Sequence, residues 1–202
     1  MARKAGSKRA DRSTDRRAQI LEAAIRVFAE RGYHGCRVSD IADEAGIAYG
    51  LVYHYYQSKE AVLQAIFDEK WAMFLQVLQS IAEDSSIDFR SKIRSLVSFV
   101  YTTYRQNPAI AEVVILEILH SHEFRKPDML DRFGWAYSVI QKMFQDARTQ
   151  GQVSDRCDVQ YAPLMLLGSI ETILTGLALK YVSGTDAAQE QISGELVRQY
   201  AT

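Results

Sequence analysis

Side chains that can contact a nucleic acid recur within residues 37–59, whose sequence is RVSDIADEAGIAYGLVYHYYQSK. Tyr49 and His54 carry a phenol and an imidazole, which can donate hydrogen bonds to phosphate oxygens or to base edges. Leu51, between them, can contact the methyl group of a thymine. This chemistry requires that all three side chains point away from the protein core on one short helix.

The order of small and apolar residues around these side chains predicts the element that positions them. Ala42 is small enough for a second helix to cross closely, and Gly46 follows four residues later, where a turn needs a positive φ. Val52, six residues further on, returns an apolar side chain to a small core beside Ile41. Helix, glycine-containing turn and helix together predict a helix-turn-helix, whose second helix can enter a major groove.

Apolar residues recur at steps of three and four along almost the whole chain, which predicts an all-α fold. We expect a basic flexible arm over 1–13, an N-terminal three-helix, helix-turn-helix DNA-binding domain over 14–60, and a larger helical bundle over 61–202. The predicted helices cover about 14–31, 38–45, 49–55, 59–83, 88–106, 108–122, 127–150, 158–182 and 186–200. Pro163 is expected to kink the penultimate helix or to delay its start.

Composition and charge further restrict the class of protein to which the chain can belong. The 202 residues are 48% hydrophobic, with a formal net charge of −1, which is ordinary for a globular protein. Residues 1–17, however, carry seven Lys and Arg against two Asp. A basic segment on an acidic body is typical of a nucleic-acid contact, and a solvated tail without a partner is the alternative. The sequence has no long apolar run and no signal peptide, so we expect the chain in the cytoplasm, without membrane contact. Cys36 and Cys157 are expected as unpaired thiols.

The stretch from 46 to 60 strongly resembles the DNA-binding signature of the TetR family of regulators. The family favours a glycine, an aliphatic residue, an aromatic residue and a lysine at the places held here by Gly50, Val52, Tyr53 and Lys59. Upstream, ILEAA at 20–24 and FAERGY at 28–33 are similar to the family as well. The resemblance is specific over about residues 14–75 and rests on helix count and spacing beyond them.

The resemblance implies DNA contacts at eight positions, which are Arg37, Ser39, Tyr49, Gly50, Leu51, Tyr53, His54 and Lys59. Tyr53 and Lys59 would bind phosphates, and Gly50 would let the backbone approach the bases closely. Arg37 departs from the family pattern, which often has a helix-capping Ser or Thr there. Arginine either leaves that cap poor or contacts DNA directly. Tyr55 and Tyr56 are expected as core aromatics, with DNA contact as the alternative.

The resemblance also implies a homodimer on a palindromic operator in double-stranded DNA, released by a small apolar effector. The expected dimer residues, for which a place inside the bundle is the alternative, are Leu164, Leu167, Gly168, Glu171, Thr175 and Gly176. The residues expected around the effector, for which plain core is the alternative, are Phe99, Tyr104, Glu117, His120, Trp135, Tyr137 and Phe144. Two stretches, 110–117 and 166–174, are similar to the acyl-CoA-responsive branch of the family, which points to a long-chain acyl-CoA as the effector.

Catalytic and metal sites are not expected. His120 and His122 stand two residues apart, so on a helix their side chains diverge and make a poor metal site. The sequence contains no recognisable nucleophile–base pair, phosphate loop or pair of catalytic acids, and we expect neither a cofactor nor an enzyme. The alternative to a DNA-binding regulator is a helical small-molecule-binding protein whose motif no longer binds DNA. The apolar face at Ala48, Tyr49 and Leu51 favours that alternative.

Overall fold

The computed structural model describes the backbone of residues 3–115 and 127–202, and the side chains of residues 14–115 and 131–202. Within these ranges the chain forms nine α-helices, which confirms the predicted all-α fold. They are α1 (Arg3–Arg31), α2 (Val38–Ala45), α3 (Tyr49–Tyr55), α4 (Lys59–Glu83), α5 (Phe89–Gln106), α6 (Pro108–Glu112), α7 (Pro127–Thr149), α8 (Ala162–Ala178) and α9 (Asp186–Tyr200). The chain divides into two compact units, Met1–Lys70 and Trp71–Thr202, and the division falls within α4. No helix among the described residues combines the length and the apolar character needed to cross a bilayer.

The first helix is longer than the sequence predicts. It begins at Arg3, so the segment that we expected to be a flexible arm has a helical backbone. Residues 3–13 contain no proline and consist mostly of Arg, Lys and Ala, which favour a helix. Such a segment continues a helix that the packed part of α1 has already nucleated, and continuing a helix is much easier than starting one.

The first unit is organised around the apolar face of α1. Ile20, Ala23 and Phe28 are at most 1% exposed, and α1 packs against α2, which in turn packs against α3. Ile41 of α2 and Val52 of α3 are fully buried. Each large apolar side chain buried in this way contributes about 1.5–3 kcal/mol to folding. The unit therefore holds the two helices of the predicted motif on a common apolar core.

In the second unit α5 packs against α8 and α9, and α7 packs against α8. Its core is rich in large aromatic side chains. Phe144 of α7 is fully buried, and its ring meets Phe89 at 4.9 Å and Tyr200 at 5.4 Å, both edge to face. An isolated antiparallel bridge between Val153 and Ala201 ties the segment after α7 to the end of α9.

The ends of α8 differ from the prediction. The helix begins at Ala162, so Pro163 lies in its first turn, where a missing N–H does no harm, and it delays the helix instead of kinking it. The helix ends at Ala178, and Val182 then donates a backbone hydrogen bond to the Gly176 carbonyl at 3.0 Å. The predicted end of the helix that starts at Pro108, near residue 122, lies outside the described residues.

Candidate nucleic-acid interface

The turn between α2 and α3 has the predicted geometry. Gly46 has φ 63°, and its N–H donates to the Asp43 carbonyl at 3.1 Å. The next residue, Ile47, donates to the Ala42 carbonyl at 3.0 Å. These two bonds satisfy carbonyls that the end of α2 would otherwise leave open, and they require a left-handed residue at position 46.

The two other residues that define the motif are fully buried. Ala42 and Val52 have no exposed surface, as a close crossing of α2 and α3 requires. The helix-turn-helix prediction over residues 37–59 is therefore confirmed.

The start of α2 has Arg37 at the N-cap position, where a capping Ser or Thr is usual. An arginine side chain has no acceptor atom, so Arg37 cannot cap the helix itself. Instead the Asp40 carboxylate accepts the backbone N–H of Arg37 at 2.7 Å, and Arg31 pairs with the same carboxylate at 3.1 Å. Arg37 is exposed and Ser39 is half-buried. The local structure thus holds the start of α2 while the Arg37 guanidinium stays at the surface.

A tyrosine pair dominates the exposed side of α3. Tyr49 is 53% exposed and Tyr53 is 41% exposed, one helical turn apart. Their rings meet edge to face at 5.0 Å, and the two hydroxyl groups share a hydrogen bond of 3.2 Å. This hydrogen bond, with a smaller contribution from burial, raises the pKa of Tyr53 above its ordinary value. A tyrosine phenol is protonated at neutral pH, so Tyr53 can donate a hydrogen bond to a phosphate oxygen.

The remaining predicted contacts of α3 lie beside this pair. His54 is exposed, and Leu51 is half-buried. A Cβ built on Gly50 would meet no atom within 4 Å, so the backbone there borders open space. Tyr55 and Tyr56 are both half-buried, and burial raises the pKa of Tyr56. The surface available to a groove is thus formed by Tyr49, Gly50, Tyr53 and His54, with Leu51 at its edge.

Lys59 has partners that the sequence did not predict. Its ammonium group donates to the backbone carbonyls of Tyr33 and, at 2.9 Å, of Cys36, and it lies 4.3 Å from the centroid of the Tyr33 ring. Next to it the Tyr33 hydroxyl donates to Glu60 at 2.7 Å, which lowers the pKa of that carboxyl. Lys59 therefore fastens the start of α4 to the loop between α1 and α2. Its contact with a phosphate stays a prediction.

The residues predicted around the effector have separate surroundings in the second unit. Phe144 is fully buried in the aromatic core, and its place at an effector pocket stays a prediction. Tyr137 donates to the Gln160 carbonyl at 2.9 Å, and Trp135 is 38% exposed. Phe99 and Tyr104 of α5 are half-buried at the edge of the core. Glu117 and His120 lie outside the described residues, so the described contacts do not assemble these positions into one site.

The residues predicted at a dimer interface fall into two groups on α8. Leu164 is 54% exposed, and Gly168, Glu171 and Thr175 share its outer side. Leu167 is only 5% exposed, and a Cβ on Gly176 would lie 2.7 Å from Cγ2 of Val182. Leu167 packs in the core of its own unit and Gly176 lies against Val182, so the open side of α8 is formed by the other four residues. A dimer contact by Leu167 or Gly176 stays a prediction.

The fold and the exposed face of α3 define a helix-turn-helix DNA-binding protein, and comparison with known proteins agrees. Residues 20–66 match the profile of "Bacterial regulatory proteins, tetR family". The chain is similar to the "Fatty acid metabolism regulator protein" of Bacillus subtilis, at 27% identity over 157 residues, which are 78% of this chain and 80% of that protein. Residues 20–66 are therefore a DNA-binding domain of the TetR type, and the chain is a DNA-binding transcriptional regulator.

Two solved structures are similar in fold to most of this chain. The fatty acid degradation regulator FadR from Bacillus halodurans has a TM-score of 0.78 and 26% identity, over 90% of this chain and 94% of that one. FadR from Bacillus subtilis, which was crystallised in complex with stearoyl-CoA, has a TM-score of 0.70 and 24% identity, over 90% of this chain and 98% of that one. The second likeness supports the fold alone.

Proposed function

We propose that this regulator is a homodimeric repressor that leaves a palindromic operator when a long-chain acyl-CoA binds to its second unit. The observation that carries the proposal is the likeness to the fatty acid regulators over nine-tenths of the chain. The stretches at 110–117 and 166–174 support the same branch of the family. A regulator that works on the bacterial chromosome would act in the cytoplasm.

The exposed side of α8 supports the homodimer. Leu164 and Met165 are 54% and 57% exposed and adjacent, and an exposed apolar patch, unlike a single exposed side chain, marks an interaction site. Gly168 and Thr175 lie on the same side and leave room for a partner helix to approach. One helix-turn-helix contacts too little DNA for tight specific binding, whereas a symmetric dimer reads two half-sites. We infer that a second copy of this chain covers this face.

Release from DNA requires that the ligand bind two conformations with different affinity. α4 starts at Lys59, directly after the recognition helix, and continues to Glu83 in the second unit. A ligand that tilts α4 would change the separation of the two recognition helices in the dimer. To move the population from 99:1 to 1:99 the ligand must favour the released state by a factor of about 10⁴.

A mobility-shift assay with stearoyl-CoA tests the proposal. The probe is the DNA upstream of the protein's own gene, with a random duplex of equal length as the non-specific reference. We expect a specific complex that stearoyl-CoA dissociates, while coenzyme A alone leaves it intact. Stearoyl-CoA at about 100 times its Kd should also stabilise the protein by about 2.7 kcal/mol in a thermal unfolding measurement.

The two parts of the proposal can fail separately. A protein that binds neither this probe nor any duplex from a palindromic library above the non-specific level would refute repression through DNA. A specific complex that stearoyl-CoA does not dissociate, from a protein that it does not stabilise against heat, would refute the ligand and leave the DNA-binding function in place.

A further inference from the structure

The basic N-terminal part of α1 has no role in the repressor mechanism above. Its basic residues are Arg3, Lys4, Lys8, Arg9, Arg12, Arg16 and Arg17, against Asp11 and Asp15. Because α1 begins at Arg3, residues 3–13 extend the packed helix by about 16 Å. Lys4, Lys8 and Arg12 recur at steps of four residues, which is close to one helical turn.

Two contacts place the base of this extension at the helix-turn-helix. Gln19 donates its side-chain amide to the carbonyl of Ala45, the last residue of α2, at 2.7 Å. Arg16 donates to the same Gln19 side chain at 2.7 Å. The extension therefore leaves the unit beside the turn that leads into the recognition helix. The first residues of a recognition helix are the ones that approach the bases.

The recognition face itself supplies few positive charges for the DNA backbone. α3 has the sequence YGLVYHY, without lysine or arginine. Lys59 already donates to two backbone carbonyls and Arg26 pairs with Glu44 at 2.6 Å, whereas Arg37 stays exposed at the start of α2. Phosphate contacts provide much of the affinity of proteins for DNA, and lysine and arginine make most of them.

We propose that residues 3–17 form a second DNA contact, which binds backbone phosphates next to each half-site. The proposal rests on the DNA-binding function above. A lipid surface is the less suitable partner, because alanine is the only apolar residue type between Arg3 and Arg17 and a surface-bound helix needs a broad apolar face. Contacts of this kind raise affinity for every sequence alike, because phosphates carry no sequence information.

The salt dependence of binding measures these contacts directly. The test variant carries Lys4→Gln, Lys8→Gln and Arg12→Gln in the full-length chain. The control variant carries Arg90→Gln, Lys142→Gln and Arg156→Gln, which remove the same charge from exposed positions of the second unit. The probes are a 40-base-pair duplex selected from a random library by the wild type, and a random duplex of the same length.

We expect the slope of log K against log salt to become shallower by about 0.9 for each phosphate that the variant no longer neutralises, which is about 2.7 for each protomer and about 5.4 for the dimer. The test variant should show this change on both probes, and the control variant should keep the wild-type slope. A test variant with the wild-type slope would overturn the proposal while leaving the helix-turn-helix function intact. A wild type that selects no duplex at all would instead overturn the DNA-binding function and the second contact with it.

Discussion

Replacing Lys59 by methionine should destabilise the first unit, although the sequence suggests only a surface contact with DNA. Methionine keeps most of the length and the apolar stem of lysine but removes the ammonium group. The carbonyls of Tyr33 and Cys36 then have no ammonium donor, and the Tyr33 ring no longer faces a positive charge. A weaker affinity for DNA would not by itself reveal this role, because a partly unfolded motif also binds DNA poorly.

The expected cost follows from the three interactions. A hydrogen bond to a charged group contributes about 1.5–3 kcal/mol, and a cation–π contact about 0.5–1 kcal/mol. Lys59 is half-buried, so water can replace part of these interactions. We expect Lys59→Met to lower the free energy of unfolding by about 3 kcal/mol. For a unit of this size that corresponds to a fall in Tm of about 10 °C or more.

Thermal unfolding followed by far-ultraviolet circular dichroism measures the effect, with Arg37→Met as the matched control. Arg37 is exposed and carries the same charge, so its replacement should change stability by no more than about 0.5 kcal/mol. The control should nevertheless bind DNA more weakly, since Arg37 lies at the start of α2. A Lys59→Met protein that unfolds at the wild-type temperature would refute the structural role and leave Lys59 as a phosphate contact.

Three further predictions rest on glycine geometry and on burial. Gly46→Ala should lower the free energy of unfolding in urea by about 1–2 kcal/mol, because φ is 63° at that position. Gly50→Ala should not destabilise the protein, because open space surrounds the position of its Cβ. Equal losses of stability in the two variants would contradict this reasoning. Phe144→Ala should cost about 3–5 kcal/mol in thermal unfolding, and a cost below about 1 kcal/mol would show a pocket wall instead of core. In analytical ultracentrifugation Leu164→Glu should be a folded monomer. Met73→Glu, also at an exposed apolar position, should remain a dimer. A Leu164→Glu protein that remains a dimer would place the interface elsewhere.

The helix-turn-helix could be predicted from the sequence because its determinants are local. Ala42, Gly46 and Val52 lie within eleven residues of one another, and each acts through its own size or backbone angle. The bounds of α2, α3 and α4 follow from the same short-range signals and agree with the prediction. The predicted start of α1 near residue 14 differs from the observed start at Arg3, because helix propensity favours continuation through the basic segment.

Long-range packing decides the alternatives that the sequence leaves open in the candidate sites. An aromatic residue such as Phe144 can line a pocket or fill a core, and only its contacts with Phe89 and Tyr200 decide between them. Leu167 belongs to the core because of the side of α8 on which it lies, which depends on how α5 and α7 pack. Lys59 contacts a loop more than twenty residues earlier in the chain, and no short motif encodes such a contact.

The side chains of the recognition helix also limit how this regulator can choose its operator. Bidentate contacts from arginine or lysine to guanine, and from asparagine or glutamine to adenine, give about 1–3 kcal/mol of discrimination each. α3 contains none of these four residue types. We expect its readout to come from single hydrogen bonds of Tyr49 and His54 and from apolar contact by Leu51 with thymine methyl groups. Each base pair would then be discriminated weakly, so specificity would depend on reading two half-sites at a fixed spacing, and affinity would depend on phosphate contacts by Tyr53 and by residues outside the recognition helix.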